Sequence, residues 1–152
     1  MNIDIIKRFE GLFLKSYKDQ AGVWTIGYGT IAYPNSSRVQ PGDTCTEAQA
    51  DAWLIDECIQ KEESIKEVLI RIGILFNQNE LDSVLSFIYN LGEGLLVPDR
   101  SFGVALRTKD RQKIADSMLL YCKYRGIFGI MRVSKGLLNR RKEERALFLK
   151  PL

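Results

Sequence analysis

Histidine is absent from this chain of 152 residues, and that absence removes more chemistry than any other feature of its composition. Without imidazole there is no Ser-His or Cys-His nucleophile pair and no histidine-built metal centre, so acid–base chemistry, if the chain performs any, has to rest on other groups such as carboxylates. Cysteine is scarce: Cys45, Cys58 and Cys122 make an odd count with no Cys-x-x-Cys spacing, which points to reduced, structural thiols and away from zinc or redox chemistry. No metal or other cofactor is expected. No apolar run approaches the ~20 residues of a membrane span. The opening Met1 to Glu10 does not read as a secretory signal either, because Lys7-Arg8 follows a very short apolar patch that contains Asp4. Internal repeats and low-complexity segments are missing too. The expectation is one soluble domain over residues 1–152 that accumulates in the cytoplasm.

With 45% hydrophobic residues the chain has enough material for a sizeable core. Its net charge of +3 conceals an asymmetry: residues 1–106 carry net −6 and residues 107–152 net +9. The basic end reads either as a solvated helical face or as a surface drawn to an anionic cell wall or membrane. Nucleic acid is not the expected partner, since the segment has no zinc-finger pattern and its cations are not interleaved with stacking aromatics.

The stretch from Glu10 to Gly29 carries the densest chemistry. Asn2 is placed to cap a short helix with Ile3, Ile5, Ile6 and Phe9 at near-helical spacing, and Gly11 lets the chain leave it. Glu10 then stands in the last turn, where carbonyls amounting to about −0.5 of an elementary charge disfavour an ionised side chain. That suits a proton donor. Asp19 falls in a polar turn, Lys-Asp-Gln-Ala-Gly, between strands predicted over Phe13 to Tyr17 and Val23 to Tyr28. Water and backbone amides there keep a carboxylate charged, which suits a base or an electrostatic stabiliser. Two carboxylates in such different surroundings can divide acid and base work. Thr25 lies just beyond with a hydroxyl able to hold a water, and Gly27 and Gly29 leave room for a substrate or a neighbouring backbone.

Beyond the hairpin, Thr30 to Thr44 reads as a loop with one further short strand around Arg38-Val39-Gln40. Thr44 with Glu47, or Thr46 with Gln49, offers a capping box for a long helix through Trp53, Leu54, Cys58, Ile65 and Leu69. Asn77 with Glu80 opens the central helix, with Leu81, Val84, Leu85 and Ile88 on one buried face and Gly92 closing it. Helical patterns continue over Ser101 to Arg107, Asp110 to Tyr124 and Ser134 to Leu149, with breaks at 126–129 and at Val133-Ser134, and Pro151 ends the last. The fold class is α+β: one small antiparallel sheet followed by helices.

Three blocks of residues resemble the phage-type lysozymes, endolysins that cleave the glycan of bacterial peptidoglycan (muramidases of glycoside hydrolase family 24). The first is Phe9-Glu10-Gly11, Tyr17, Asp19, Gly22 and Thr25-Ile26-Gly27-Tyr28-Gly29; the second is Asn77-Gln78, Asp82, Ser86-Phe87, Tyr89-Asn90 and Gly92; the third is Gly136-Leu137, Arg140-Arg141, Glu144 and Leu147-Phe148. Each is weak alone, and their order along nearly the whole chain makes them specific. The resemblance implies a lysozyme-like fold with a sheet lobe over about residues 12–45, a helical lobe over about residues 46–152 that includes the N-terminal helix, a long helix joining them and a cleft for the polymer.

It also implies hydrolysis of the β-1,4 bond between N-acetylmuramic acid and N-acetylglucosamine, with Glu10 as general acid, Asp19 and Thr25 orienting a water, and inversion at the anomeric carbon. Ile31, Tyr89 and Ser101 align with positions that touch sugar, although this chain has Ser101-Phe102 where the family shows Ser-Thr. Arg140 aligns as the partner of Glu10, and Thr30 stands where relatives commonly carry histidine. A monomer acting on peptidoglycan strands is expected, released to the wall with help from a holin-type permeabilising partner. Two alternatives stay open: a lytic transglycosylase, which manages with one acidic residue, and a non-catalytic basic protein that binds wall or membrane through residues 107–152.

Overall fold

The computed structural model describes residues 1–125 and 130–152. Their order is α1 (Asp4–Glu10), β1 (Phe13–Lys18), β2 (Trp24–Gly27), α2 (Glu47–Ile72), α3 (Gln78–Leu91), a 3-10 turn (Glu93–Leu96), α4 (Ser101–Thr108), α5 (Arg111–Met118), β3 (Lys123–Arg125), β4 (Met131–Val133) and α6 (Lys135–Phe148). The class is α+β, as expected. The chain divides into two units, residues 2–60 and residues 61–152, with the boundary inside α2. Among the described residues no helix is long and apolar enough to cross a membrane.

In residues 2–60, β1 and β2 form an antiparallel hairpin in which Phe13 stands opposite Gly27 and Tyr17 opposite Thr25. Four steps on β1 thus face two on β2, a bulge that re-aims the Tyr17 side chain. Gly27 has φ +64°, and a Cβ there would come within 3.2 Å of the Ala50 Cβ, so its bare backbone serves the close approach of α2. Lys7 ties α1 to α2 through Asp51 at 2.6 Å, and its ammonium lies over the Tyr28 ring at 5.3 Å. Of the two capping boxes open to α2, Thr46 with Gln49 forms: the Thr46 amide donates to Gln49 Oε1 at 2.9 Å, and the Gln49 amide donates to Thr46 Oγ1 at 3.2 Å. Thr44 instead bridges Lys15. The strand expected near Arg38 reduces to a single bridge, Ala32 to Arg38. Asn2 accepts from the Asp4 amide at 2.9 Å while Ile3 holds the cap position, so it makes a turn just ahead of α1.

In residues 61–152, α3 is buried from Asp82 to Ile88, wider than the one face its periodicity suggests. The reason lies in its serines, which are small enough to admit α6 and polar enough to bond it. Ser83 Oγ donates to the Glu144 carbonyl at 2.6 Å, and Ser86 Oγ donates to Glu144 Oε1 at 2.7 Å. The Asn77–Glu80 capping box closes both ways, at 3.0 Å and 2.8 Å. Gly103 on α4 is dictated by contact, since a Cβ there would fall 1.9 Å from the Val97 carbonyl oxygen.

The helix predicted over Asp110 to Tyr124 stops at Met118. Beyond it, Lys123–Arg125 pairs with Met131–Val133, and the Ser134 amide donates to the Cys122 carbonyl at 2.8 Å. Backbone pairing across the chain here overrides local helical preference. The break expected at 126–129 lies outside the described residues. The break at Val133-Ser134 is present, with Ser134 capping α6 through the Leu137 amide at 3.2 Å.

Candidate active site

Glu10 is the last residue of α1, and Gly11, at φ +73°, turns the chain directly into β1. Asp19 follows β1 in the hairpin turn. Its Oδ1 accepts from the Ala21 amide at 2.9 Å and from the Val23 amide at 2.8 Å, and its own amide donates to the Val23 carbonyl at 2.9 Å. The turn therefore fixes one carboxylate oxygen with two N–H donors and leaves the other outside these bonds. Thr25, one residue into β2, is buried and donates its hydroxyl proton to the Val23 carbonyl at 3.0 Å. That direction of donation leaves the oxygen's lone pairs as its remaining capacity. Val23 is thus shared, its amide held by Asp19 and its carbonyl by Thr25.

Tyr17 belongs to the same hairpin. It stands opposite Thr25 in the hairpin, with its ring 4.4 Å from that of Phe13 at a 41° tilt. Its phenol is pushed above the usual tyrosine range, first by burial and then by the negative charges of Glu10 and Asp19. One hydroxyl thus feels both carboxylates, one from the end of a helix and the other from the far end of a strand. The sequence motif includes Tyr17 but gives no sign of its pairing with Thr25, which follows a shift of register in β1.

The remaining expected residues divide by unit. Ile31 is exposed just past the turn in which Ile26 and Thr30 exchange two backbone hydrogen bonds of 2.9 Å. Thr30 itself is buried. Tyr89, half-buried near the end of α3, and Ser101, the exposed first residue of α4, belong to residues 61–152. So does Arg140, whose Nε donates to Glu144 Oε1 at 3.1 Å and whose Nη2 donates to the Ser86 carbonyl at 3.1 Å. Arg141 pairs with the second oxygen of Glu144 at 2.7 Å and lies 4.9 Å over the Phe87 ring. Burial pushes the Glu144 carboxyl up while both guanidiniums pull it down. Among the described residues no group of three or more cysteine or carboxylate side chains is placed to hold a metal ion.

A family model described as phage lysozyme matches residues 7–144. The endolysin of Salmonella phage P22 is 35% identical over 144 residues, covering 95% of this chain and 92% of that protein. Among solved structures, an endolysin from Escherichia coli O157:H7 phage FAHEc1 superposes with a TM-score of 0.83 at 33% identity, over 97% of this chain and 89% of the other. The muramidase domain of SpmX from Asticaccaulis excentricus gives a TM-score of 0.83 at 26% identity, over 98% and 95%. The motif blocks, the lysozyme-like fold and the carboxylate-bearing hairpin agree with these likenesses, and the chain belongs to the phage lysozyme family of glycoside hydrolases.

Proposed function

We propose that this glycoside hydrolase cleaves the β-1,4 bond between N-acetylmuramic acid and N-acetylglucosamine in bacterial peptidoglycan, with Glu10 as general acid and Asp19 and Thr25 serving the water. Glu10 gives its proton to the leaving oxygen as the glycosidic bond breaks and oxocarbenium character develops. A water on the opposite face of the sugar adds its oxygen to the anomeric carbon and gives its proton to Asp19, so the configuration inverts. The Thr25 oxygen orients that water. The build of the hairpin carries this reading: Glu10 closes α1 directly ahead of β1, Asp19 sits in the turn with one oxygen held by two amides, and Thr25 follows in β2 with its hydroxyl proton already given to Val23. Ile31 fits as a sugar contact by its exposure beside β2, whereas Tyr89, Ser101 and Arg140 enter on the family resemblance alone.

A turbidity assay on permeabilised cells tests it: Glu10→Gln loses lysis while its circular dichroism stays that of the wild type. An initial product of inverted anomer supports the water mechanism. Anhydro-muramic ends in place of reducing ends would refute hydrolysis in favour of a transglycosylase.

A second role, attraction to an anionic envelope, has its own support. The sequence holds no acid between Asp116 and Glu143. The β3–β4 pairs, Lys123 with Val133, Tyr124 with Arg132 and Arg125 with Met131, each join one cation to one apolar side chain, and all six are exposed. Killing that survives Glu10→Gln would assign the lethal step to this surface instead of the carboxylates. Storage in the host cytoplasm, release through a holin-type partner and action as a monomer complete the proposal.

A further inference from the structure

A pocket of about 430 Å³ lies wholly within residues 2–60, bounded by the segment from Thr30 to Arg38 and by α2. That volume falls in the range of about 300–1,000 Å³ in which small ligands are held. Its rim starts at Thr30-Ile31, and the two hydrogen bonds between Ile26 and Thr30 set that rim beside β2, one residue beyond Thr25. The pocket rim and the proposed water-handling hydroxyl are thus carried on one stretch of backbone.

The lining is unusual for a place where only packing is needed. Tyr33 and Trp53 meet with ring centroids 4.9 Å apart and a 58° tilt, and both remain half-buried where the pocket opens. Tyr33 is locked there, its hydroxyl donating to Asp43 Oδ2 at 2.6 Å. From α2 come Asp56 and Gln60, one turn apart and joined by a 3.0 Å bond from Gln60 Nε2 to Asp56 Oδ2, while Arg38 comes from the loop. An aromatic surface is matched by the apolar face of a pyranose ring. A carboxylate, an amide and a guanidinium together supply both donors and acceptors for hydroxyl and N-acetyl groups. A cationic ligand would meet Arg38, and an anionic one would meet Asp56 and Glu57. A neutral polyhydroxy ligand suits all of them.

We propose that this pocket is an outer saccharide subsite, with Trp53 as stacking platform and Asp56 and Gln60 as hydrogen-bonding partners for a sugar of the glycan strand distant from the bond being cut. The inference rests on the proposed glycan substrate. The pocket residues belong to neither the acid nor the water-handling machinery, so their contribution is to the binding of long strands.

The test uses the full chain and soluble N-acetylglucosamine oligomers. On adding chitotetraose, nitrogen–proton correlation spectra are expected to shift the Trp53 indole and Gln60 side-chain amide signals. Trp53→Ala and Gln60→Ala are expected to raise KM on long glycan strands about threefold to tenfold, the loss of one stacking or hydrogen-bonding contact, with kcat within about twofold. Gln60 is exposed, so its variant keeps the test informative if Trp53→Ala fails to fold. An indole signal indifferent to chitotetraose in an enzyme that still lyses cells overturns the subsite and leaves the catalytic reading intact. A shift given by the isolated stem peptide and not by the sugar overturns it as well. Sugar binding at the pocket in a wild type that hydrolyses nothing supports the subsite and removes the catalytic proposal.

Discussion

Asp19 has two roles in this account, and substitution separates them. Its Oδ1 terminates the hairpin turn by accepting from the Ala21 amide at 2.9 Å and the Val23 amide at 2.8 Å. Asp19→Asn keeps a carbonyl oxygen in that place and removes only the charge and the basicity. Asp19→Ala removes the acceptor altogether. Taking the lower part of the range for each bond because the turn is near the surface, Asp19→Ala is expected to cost about 1–2 kcal/mol and Asp19→Asn less than about 1 kcal/mol. For a chain of this length the first corresponds to a fall in Tm of about 2–8 °C and the second to about 4 °C at most. Activity should not follow that order. A lost general base reduces turnover by about 10²–10⁴-fold, so both variants should fall by that factor when assayed well below either Tm. Thermal unfolding by circular dichroism, set beside initial lysis rates on permeabilised cells, reads both quantities from the same samples. If Asp19→Asn lysed cells at the wild-type rate, or if activity in the two variants simply tracked their stability, Asp19 would be a turn residue and no more.

Two further predictions concern groups outside the hairpin. Glu144 pairs with both Arg140 and Arg141 in a buried trio, so Glu144→Gln removes a charge that two buried guanidiniums share, whereas Arg141→Met keeps the Arg140–Glu144 pair. Urea unfolding should place Glu144→Gln toward the upper end of the roughly 3–5 kcal/mol expected for breaking a buried ion pair, with Arg141→Met below it; the reverse order would refute the reading. Tyr33 has its hydroxyl pushed up to about 12 from an ordinary 10.0, by burial first and then by the bond to Asp43. A group whose proton is held more tightly in the folded chain contributes stability that is complete below pH 10.0 and is lost as pH rises from there toward about 12. Tyr33→Phe should therefore show a shallower alkaline decline of urea midpoints than the wild type. It should not abolish the decline, because Tyr17 and Tyr28 are shifted in the same direction. Superimposable alkaline limbs would refute the assignment.

What could be read from the sequence was what its local interactions determine. The turn at Asp19 closes through amides two and four residues ahead, and the box at Asn77 closes over three, so residue types at short spacing define both. Where two local solutions competed, a distant partner chose between them: Thr44 is taken by its bridge to Lys15, which leaves the helix start to Thr46 and Gln49. The end of α5 was unreadable for the same reason. Leu119 to Tyr124 has ordinary helical preference, yet Tyr121 accepts from the Phe102 amide at 3.2 Å and Cys122 accepts from Ser134, and neither bond has a signature in neighbouring residues.

The candidate site repeats the contrast on a smaller scale. Glu10 and Asp19 are placed by a helix end and a turn, both local, and the sequence alone marks them as unlike carboxylates. Their relation to each other is not a local property, and neither is the pairing of Tyr17 with Thr25, which follows a slip of the hairpin register between Phe13 and Tyr17. A bulge has no residue pattern of its own here. It lies next to Gly27, the partner of Phe13, whose bare backbone admits Ala50. Gly27→Ala therefore tests whether the site depends on that close approach. The added methyl, at φ +64° and 3.2 Å from Ala50, presses on the strand two residues from Thr25. If the argument holds, it lowers lysis by more than its loss of stability accounts for.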